Sequence, residues 1–412
     1  MNLSMRTSLI INNKVSGKRL FIAKVGFFAF LLSGTFYVTD LFKALQKPAL
    51  IIGIALIYIA SLVGERRTAK KDFNRALFLV FAFSILLSFI FHPELSILVS
   101  FFGLALIYFA SKLMVDVFLS QDNYAGFKSI LDIFILFQVA FLFVSFIARR
   151  PNFVYGYEGL FSNPNGLGGF CSLLFSISLG NFLLNVSSNH KKKRLFSLFY
   201  IFSIFVAVLF LLLSRSRTAI ITTAICAFVG FFCYLFSNKF TASKLLKTIC
   251  FIAFLLVVLF ILFQTPVFKN AFENFVSKIE LSEAKEDVTS GRSAIWKLIF
   301  SRLSFFGNGE ISQLSAHNTF FSMLDQYGFL AFILLCFIVI TGIVKSLMYI
   351  KYEFQSQVRF IPIMVFLNFT IESLTESMML KTVMLLMVIC LMVTSSISKR
   401  YSSSRETICR SR

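Results

Sequence analysis

Charged residues are scarce in this sequence of 412 residues: they make up 14% of the chain, against roughly 25% in an ordinary soluble domain. Hydrophobic residues make up 58% of the chain, and the sequence contains 56 Phe. One water-soluble core cannot hide so many apolar side chains, so lipid must be the solvent for many of them. The scarcity of charge therefore excludes a soluble protein and predicts a polytopic membrane protein.

Recognisable nucleotide and metal motifs are also missing. The sequence contains no GxxxxGK(S/T) loop, no GxGxxG ahead of a helix, and no HExxH or paired-cysteine spacing for a metal. Its seven cysteines lie in apolar stretches or in the C-terminal tail, which argues against a disulfide framework in an exported loop. These absences argue against an ATPase or a zinc enzyme, and we expect no metal and no other cofactor.

The net charge of +21 would suggest a nucleic-acid partner in a soluble chain. Here Lys and Arg form short clusters between long apolar stretches, which is a topology signal. We therefore expect no nucleic-acid partner.

Twelve stretches of about 17–25 residues are apolar enough to be spans. They predict an all-α protein of about twelve transmembrane helices, at residues 20–38, 48–64, 76–91, 95–111, 129–148, 164–186, 196–213, 218–236, 245–264, 328–349, 358–374 and 380–397.

The distribution of basic residues predicts the orientation of these helices. Segments on one side of the spans hold 26 Lys and Arg, and segments on the other side hold 13. By the positive-inside rule both termini are cytoplasmic, in a multi-pass protein of the cytoplasmic (inner) membrane. The first stretch lacks a convincing small-residue cleavage site, so we expect a retained span and not a signal peptide.

Four regions follow from this pattern. Residues 1–263 form an N-terminal bundle of about nine helices, 264–327 a large external loop, 328–397 the C-terminal helices, and 398–412 a basic cytoplasmic tail that can bind anionic membrane lipid. The loop contains two amphipathic stretches, at 268–279 and at 295–303, the second predicted to end at the Gly307-Asn308-Gly309 turn. A loop of about sixty residues is too long for a simple connection, so we expect it to be catalytic.

Several basic residues lie at the outer ends of spans, where they oppose the orientation signal. They are the pairs Arg149 and Arg150, and Arg215 and Arg217. Arg292, where the second loop helix is predicted to begin, is a further candidate for binding an anion. Snorkelling to lipid headgroups is one explanation. The other is an external anion site at Arg217, where Ser216 or Thr218 can cap a helix that begins facing outward. Arg215 is roughly 200° away on a helix, so it can join Arg217 only from the preceding turn.

His317, next to Asn318 at the end of the loop, lies on the same predicted side as these arginines. Arginines can hold a diphosphate leaving group, and a neutral His can take a proton from an attacking hydroxyl. The set predicts glycosyl or acyl transfer from a lipid-linked phosphate donor.

Five short motifs occur in order along residues 155–345 of the chain. They are GLFSNPNGLG at 159–168, SRSRTA at 214–219, GRSAIW at 291–296, GNG at 307–309, and His317-Asn318 followed by Gly328. With these motifs the sequence resembles the bacterial family of O-antigen ligases and O-antigen or capsule repeat-unit polymerases. The resemblance implies a metal-independent glycosyltransferase that moves an undecaprenyl-diphosphate-linked oligosaccharide to an acceptor hydroxyl on the outer face of the membrane.

The resemblance also implies residue roles. Arg217, Arg292 and His317 match the family's functional Arg, Arg and His, and Arg150, Asn165, Arg215 and Asn318 are expected to contact substrate. In ligases the acceptor is lipid A–core, and in polymerases it is the repeat unit of the growing glycan. The Asn163-Pro164-Asn165 segment favours a polymerase, working alongside other surface-glycan assembly proteins.

Two other functions stay open at this point. A secondary transporter or flippase of lipid-linked glycan is expected to carry buried ionisable residues, and the acids near predicted spans are taken to be Asp116 and Asp132 alone. A polymerase of the lipid II type would use a loop carboxylate. The candidates are Glu280, Glu283, Glu286 and Asp287, which lie in a polar stretch typical of a solvated linker.

Overall fold

The structure, a computed structural model, describes residues 3–39, 42–62, 73–119, 125–149, 156–187, 193–237, 242–264, 269, 273, 292–309, 316–353, 356–378 and 381–395. The regular structure in these ranges is helical, without a β-strand. An isolated antiparallel bridge joins Thr39 to Phe161. The predicted all-α class is therefore confirmed for this part of the chain.

Thirteen α-helices are described, and most of them are long and apolar. Their bounds are α1 Leu3–Tyr37, α2 Gln46–Leu62, α3 Phe73–Phe91, α4 Leu95–Leu119, α5 Ala125–Ala148, α6 Pro164–Ser187, α7 Lys193–Ser214, α8 Arg217–Phe236, α9 Ala242–Phe263, α10 Arg292–Ser301, α11 Thr319–Tyr352, α12 Ile361–Ser373 and α13 Thr382–Thr394.

Each of the twelve predicted apolar stretches falls on one of these helices, and α10 is the additional helix of the loop. Eight helices of the described chain are long and apolar enough to cross a membrane. Part of α3, together with α12 and α13, forms shorter apolar helices. The protein is thus built as a multi-pass membrane protein. Twelve crossings and the orientation stay predictions.

Several helices differ from their predicted bounds. Helix α1 begins at Leu3 and not near residue 20, and α4 ends at Leu119 and not near residue 111. Helix α11 begins nine residues before the predicted span at 328 and is interrupted at Gly328, whose φ is 88°. Helix α10 ends at Ser301 and not at Gly307. The backbone N–H of Asn308 donates to the carbonyl of Asp325 at 2.7 Å, so residues 302–309 fold back against α11 instead of extending α10. The first predicted loop helix, at 268–279, lies almost wholly outside the described residues.

Helix α6 lies at the centre of the bundle. It packs on α7, α8 and α12, and nearly all of its residues from Leu167 to Leu184 are buried. Every residue of α13 is buried as well. Neither helix has a polar face, and a helix that is apolar all round belongs in a core. Outer helices such as α2, α4 and α7 instead expose large apolar side chains suited to lipid, among them Ile51, Phe102 and Phe202.

Connections that are predicted to lie on one side of the membrane meet at one end of the bundle. At the end predicted to face outward, which we call the outer end, the N–H of Tyr157 donates to the carbonyl of Leu213 at 2.9 Å. There too the Ser88 hydroxyl donates to the carbonyl of Phe306 at 2.6 Å. At the opposite end the Arg359 guanidinium donates to the carbonyl of Ser237 at 2.8 Å. A bundle of antiparallel spans requires this alternation.

Cysteine labelling tests the orientation directly. A cysteine placed at Ser282, in the loop, is expected to react with an impermeant maleimide in intact cells, or in spheroplasts where a wall blocks access. A cysteine at Asn189, between α6 and α7, is expected to react only after lysis. The parent protein with its native cysteines is the control. Labelling at Asn189 and protection at Ser282 would invert the topology and remove the outward-facing site.

Candidate functional site

The connection between α12 and α13 is the meeting point of the outer end. We call residues 374–378 the outer turn. Its backbone carbonyls accept hydrogen bonds from Asn318 Nδ2 at Leu374 (2.8 Å) and from Thr319 Oγ1 at Glu376 (2.9 Å). The side chain of Thr375 donates to the Thr218 hydroxyl at 2.8 Å. The starts of α8 and α11 are therefore both tied to this turn.

Arg292 and Asn165 reach the same turn from two further helices. Arg292 Nη1 donates to the carbonyl of Thr375 at 2.9 Å, and its Nη2 lies 3.6 Å from Oε1 of Glu376. Asn165 Nδ2 donates to that same carboxylate oxygen at 2.9 Å. Two residues predicted from separate motifs are thus brought together on one acid. The outer turn joins the N-terminal ends of α6, α8, α10 and α11.

Helix N-termini carry unpaired N–H groups and a partial positive charge. Some of these groups are capped within the chain: Asn163 Oδ1 accepts from the N–H of Gly166 at 2.7 Å, and Asn318 Oδ1 accepts from the N–H of Phe321 at 3.1 Å. Ser216 occupies the N-cap position of α8, but its side chain makes no capping hydrogen bond. The predicted position of the cap at Ser216 is therefore correct, but the predicted capping hydrogen bond is not formed. With Arg217 at its first position, this helix start keeps the potential to attract an anion.

Arg215 and Arg217 lie on either side of the start of α8. Arg215 is in the turn before the helix and only 6% exposed, whereas Arg217 is half-buried. Burial lowers the pKa of the Arg215 guanidinium, because desolvation disfavours its charged form. The two arginines could serve one anion only if Arg215 lay in the turn before α8. The structure places Arg215 in that turn. Arg217 is the more accessible of the two.

Backbone strain coincides with the predicted site. Among the described non-glycine residues, a positive φ occurs at Arg215 (54°) and His317 (45°) and at no other position. Side chains disfavour this region by steric clash, and such residues concentrate at functional sites. The imidazole of His317 is exposed, while the neighbouring Asn318 is buried as the N-cap of α11. The positive φ of Arg215 and His317 is therefore consistent with a functional role for both residues.

Helix α10 is fixed by its own docking contacts. Trp296 Nε1 donates to the carbonyl of Ala316 at 3.0 Å, and Ile299 is buried against α11. Arg302 forms an ion pair of 2.7 Å with Asp325, which is 3% exposed. Because the Asp325 carboxylate is buried, loss of its arginine partner would leave an uncompensated charge. These contacts set the position of Arg292 at the start of α10.

Sequence reasoning missed the acids of this region. Glu372 is 2% exposed near the end of α12, and Glu376 lies in the outer turn. Asp116 and Asp132 are therefore not the only acids near spans, and that expectation was wrong. The signal was present: two acids four residues apart interrupt an apolar stretch, and Lys381 follows. Ionisable residues in such a stretch mark a functional site by default.

The Asp132 carboxylate belongs to a separate cluster near the opposite end of the bundle. It pairs with Lys128 at 2.8 Å and accepts from the Tyr200 hydroxyl at 2.7 Å. These partners satisfy the carboxylate locally. The cluster stabilises packing between α5 and α7 and is not part of the outer site.

Other predicted residues are not tested. Arg150 and the loop acids Glu280, Glu283, Glu286 and Asp287 lie outside the described residues. The neighbouring Arg149 forms a pair of 3.4 Å with Glu158, and both side chains are nearly half exposed. Such a pair contributes little to stability. Within the described residues, no group of His, Cys, Asp and Glu is arranged to hold a metal ion.

No protein-family model matches the chain, and no curated protein matches it.

Proposed function

We propose that the protein is a membrane glycosyltransferase of the O-antigen ligase and polymerase type. It moves an oligosaccharide from undecaprenyl diphosphate to an acceptor hydroxyl at the outer face of the membrane. The observation that supports this best is the convergence of Arg292, Asn165 and Asn318 with the start of α8, where Arg217 lies, on the outer turn. Four helix N-termini and two arginines at one place suit a diphosphate.

The proposed reaction assigns the leaving group to the arginines. The acceptor hydroxyl oxygen attacks the anomeric carbon of the donor sugar, and the bond between that carbon and the diphosphate oxygen breaks. The electron pair leaves with the diphosphate, whose growing charge Arg217 and Arg292 stabilise. His317 takes the proton of the hydroxyl. The proton and the charge are thus accounted for by the chain's own residues.

Glu376 has a role in the absence of the donor. Its carboxylate lies 3.6 Å from Arg292 and satisfies part of the guanidinium. A diphosphate at the same place offers more acceptor oxygens and more charge, and Arg prefers a bidentate partner. Exchange of Glu376 for the donor would leave Arg292 with an anionic partner at each stage. The ion pair is partly buried, so salt screens it less than a surface pair.

Polymerase is the preferred form of this function, with a repeat unit of surface polysaccharide as acceptor. The support is the motif around Asn165, whose side chain contacts Glu376 at the outer turn. A ligase that uses lipid A–core is the alternative within the same chemistry. Neighbouring genes for surface-glycan glycosyltransferases and a flippase would favour the polymerase, and a core-oligosaccharide cluster would favour the ligase.

Transport of lipid-linked glycan is the second candidate. Glu372, a carboxylate buried in the bundle, is the kind of residue that a secondary transporter uses, and it was not foreseen. A transporter moves its substrate across the bilayer without changing its chain length or attachment. The product of the reaction therefore separates the two functions.

Reconstitution tests the proposal. Purified protein in lipid vesicles, given the lipid-linked repeat unit and a suitable acceptor, is expected to form longer or newly attached glycan. Glycan formation should continue without nucleotide and in the presence of EDTA, since no step of the proposed reaction needs a nucleotide or a divalent metal ion. Electrophoresis and mass spectrometry of the glycan detect the new bond. Movement of unchanged lipid-linked glycan, with no new glycosidic bond, would replace the proposal with transport.

A further inference from the structure

A cavity lies next to the outer turn, between the outer ends of α1, α6, α12 and α13. Its volume is about 40 Å³, and its lining includes Asn165, Gly169, Phe170, Asn368, Glu372 and Lys381. A volume of this size holds a few water molecules or the edge of a small polar ring. Asn165 is exposed and also contacts Glu376, so the cavity opens beside the candidate anion site.

Two buried polar side chains line the cavity. Glu372 is 2% exposed, and its Oε1 accepts from the Ser172 hydroxyl at 2.9 Å. Asn368 is 1% exposed, and its Nδ2 donates to the same hydroxyl oxygen at 2.8 Å. Its Oδ1 is buried and accepts no hydrogen bond from the described residues. A buried acceptor without a donor is costly, and a ligand with a hydrogen-bond donor would remove that cost.

The charges of the cavity favour a neutral ligand. Lys381 lies within electrostatic reach of both Glu372 and Glu376, so the acid on the wall is balanced by a base. A single carboxylate is too few ligands for a tightly held metal ion. The available groups are a carboxylate and an amide oxygen, which accept hydrogen bonds from hydroxyl groups.

Gly169 keeps the cavity open. A Cβ built on this glycine would lie 3.7 Å from Oε2 of Glu372, which is ordinary contact, so alanine fits and a larger side chain would fill the space. Phe170 and Leu173 also line the cavity and make part of its wall apolar. Polar acceptors beside apolar side chains match a sugar, which has hydroxyls at its edge and an apolar face of C–H groups.

We propose that this cavity binds the edge of a sugar ring of the acceptor glycan, with Glu372 and Asn368 accepting hydrogen bonds from its hydroxyl groups. The inference rests on the proposed glycan transfer and adds the place where the acceptor is recognised. The cavity takes the edge of one ring, and the rest of the glycan extends past Asn165 to the outside. Glu372 is then a residue of acceptor specificity, separate from the base His317.

The test uses the full-length protein in lipid nanodiscs and the repeat-unit oligosaccharide freed of its lipid diphosphate. Two variants remove the subsite in different ways: Glu372→Gln removes the charge, and Gly169→Leu fills the space. Gly169→Ala adds one methyl group and gives an intermediate step toward the filled cavity, and Glu158→Gln is the control for loss of an outer carboxylate. Calorimetric titration gives the Kd of the oligosaccharide, and transfer kinetics give KM for acceptor and donor separately.

Both subsite variants are expected to weaken oligosaccharide binding and to raise the acceptor KM by about 10–100-fold, the value of one hydrogen bond to a charged group. The donor KM should be unchanged in both variants, and Glu158→Gln should match the wild type in the Kd and in both KM values. Because the two variants act independently, one that misfolds leaves the other as a test.

Unchanged acceptor KM and Kd in a folded variant would overturn the subsite. If the wild type forms no glycosidic bond yet binds oligosaccharide through Glu372, the proposed function fails and the subsite stands. Absence of oligosaccharide binding by the wild type overturns the subsite.

Discussion

Replacing Arg292 with alanine is expected to lower the rate of glycan transfer by about 10²–10³-fold, while the protein still accumulates in the membrane. The guanidinium lies among four helix starts and can stabilise the charge that develops on the leaving diphosphate. Arg217→Ala should have a similar effect, because it removes the cation at the start of α8. Lysine at either position should recover only part of the activity, since it lacks the bidentate fork. Transfer from the lipid-linked repeat unit, normalised to protein in the membrane, measures each rate.

A structural role of Arg292 can be separated from contact with the donor. Arg292→Ala leaves Glu376 without its ion-pair partner, and an unpaired, partly buried acid could itself disturb the outer turn. The double variant Arg292→Ala/Glu376→Gln removes that charge as well. It should stay as inactive as the single variant if the arginine binds the donor. Recovery of activity would assign Arg292 to structure alone.

Arg149→Ala is the matched control for these variants. Arg149 also lies at the outer end, but its pair with Glu158 is nearly half exposed, and it makes no described contact with the outer turn. Wild-type transfer is expected. Equal losses in Arg149→Ala and Arg217→Ala would mean that the outer cations act through lipid headgroups or general charge.

Removal of the His317 imidazole is expected to lower the transfer rate by about 10²–10⁴-fold, the usual contribution of a general base. Donor binding should be nearly unchanged, because it depends on Arg217 and Arg292. The assay measures initial rates for the wild type and the variants at saturating donor.

The choice of substitution matters because His317 has a φ of 45°. Alanine at this position keeps the strain, whereas glycine and asparagine adopt a positive φ more readily. His317→Gly and His317→Asn relieve the strain but also lack the imidazole. If His317 is the base, both should be as inactive as His317→Ala, and added imidazole should restore part of the rate in His317→Gly. Activity in the glycine and asparagine variants, but not in alanine, would assign the position a backbone role. His92→Ala, in the turn between α3 and α4, is the control.

The helices of this fold could be predicted from the sequence because hydropathy is a local property. Each apolar stretch of about twenty residues specifies its own helix whatever it packs against. Arg217, Arg292 and Asn165 could be proposed because each lies at a local feature, the first turn of a helix. The break at Gly328 was not predicted, because it arises from the close approach of residues 305–307.

The meeting of these residues could not be predicted, because it depends on contacts between distant parts of the chain. Arg292 and Thr375 are 83 positions apart, and Asn165 and Glu376 are 211 apart. Without the packing of α6, α10 and α12, nothing in the sequence ties an arginine of the loop to one acid among 19. Glu372 was missed for a different reason: one acid changes the mean hydropathy of a long apolar stretch very little.

The position of the outer turn late in the chain has a consequence for biogenesis. Residues 374–378 leave the ribosome after α6, α8, α10 and the start of α11, all of which hydrogen-bond to them. Until α12 and α13 pack into the bundle, these polar helix starts lack their partners, and the face of α6 that packs on α12 is uncovered. The nascent protein is then a target for membrane quality control. Under the proposed function, the same order of events would make glycan transfer depend on completion of the bundle.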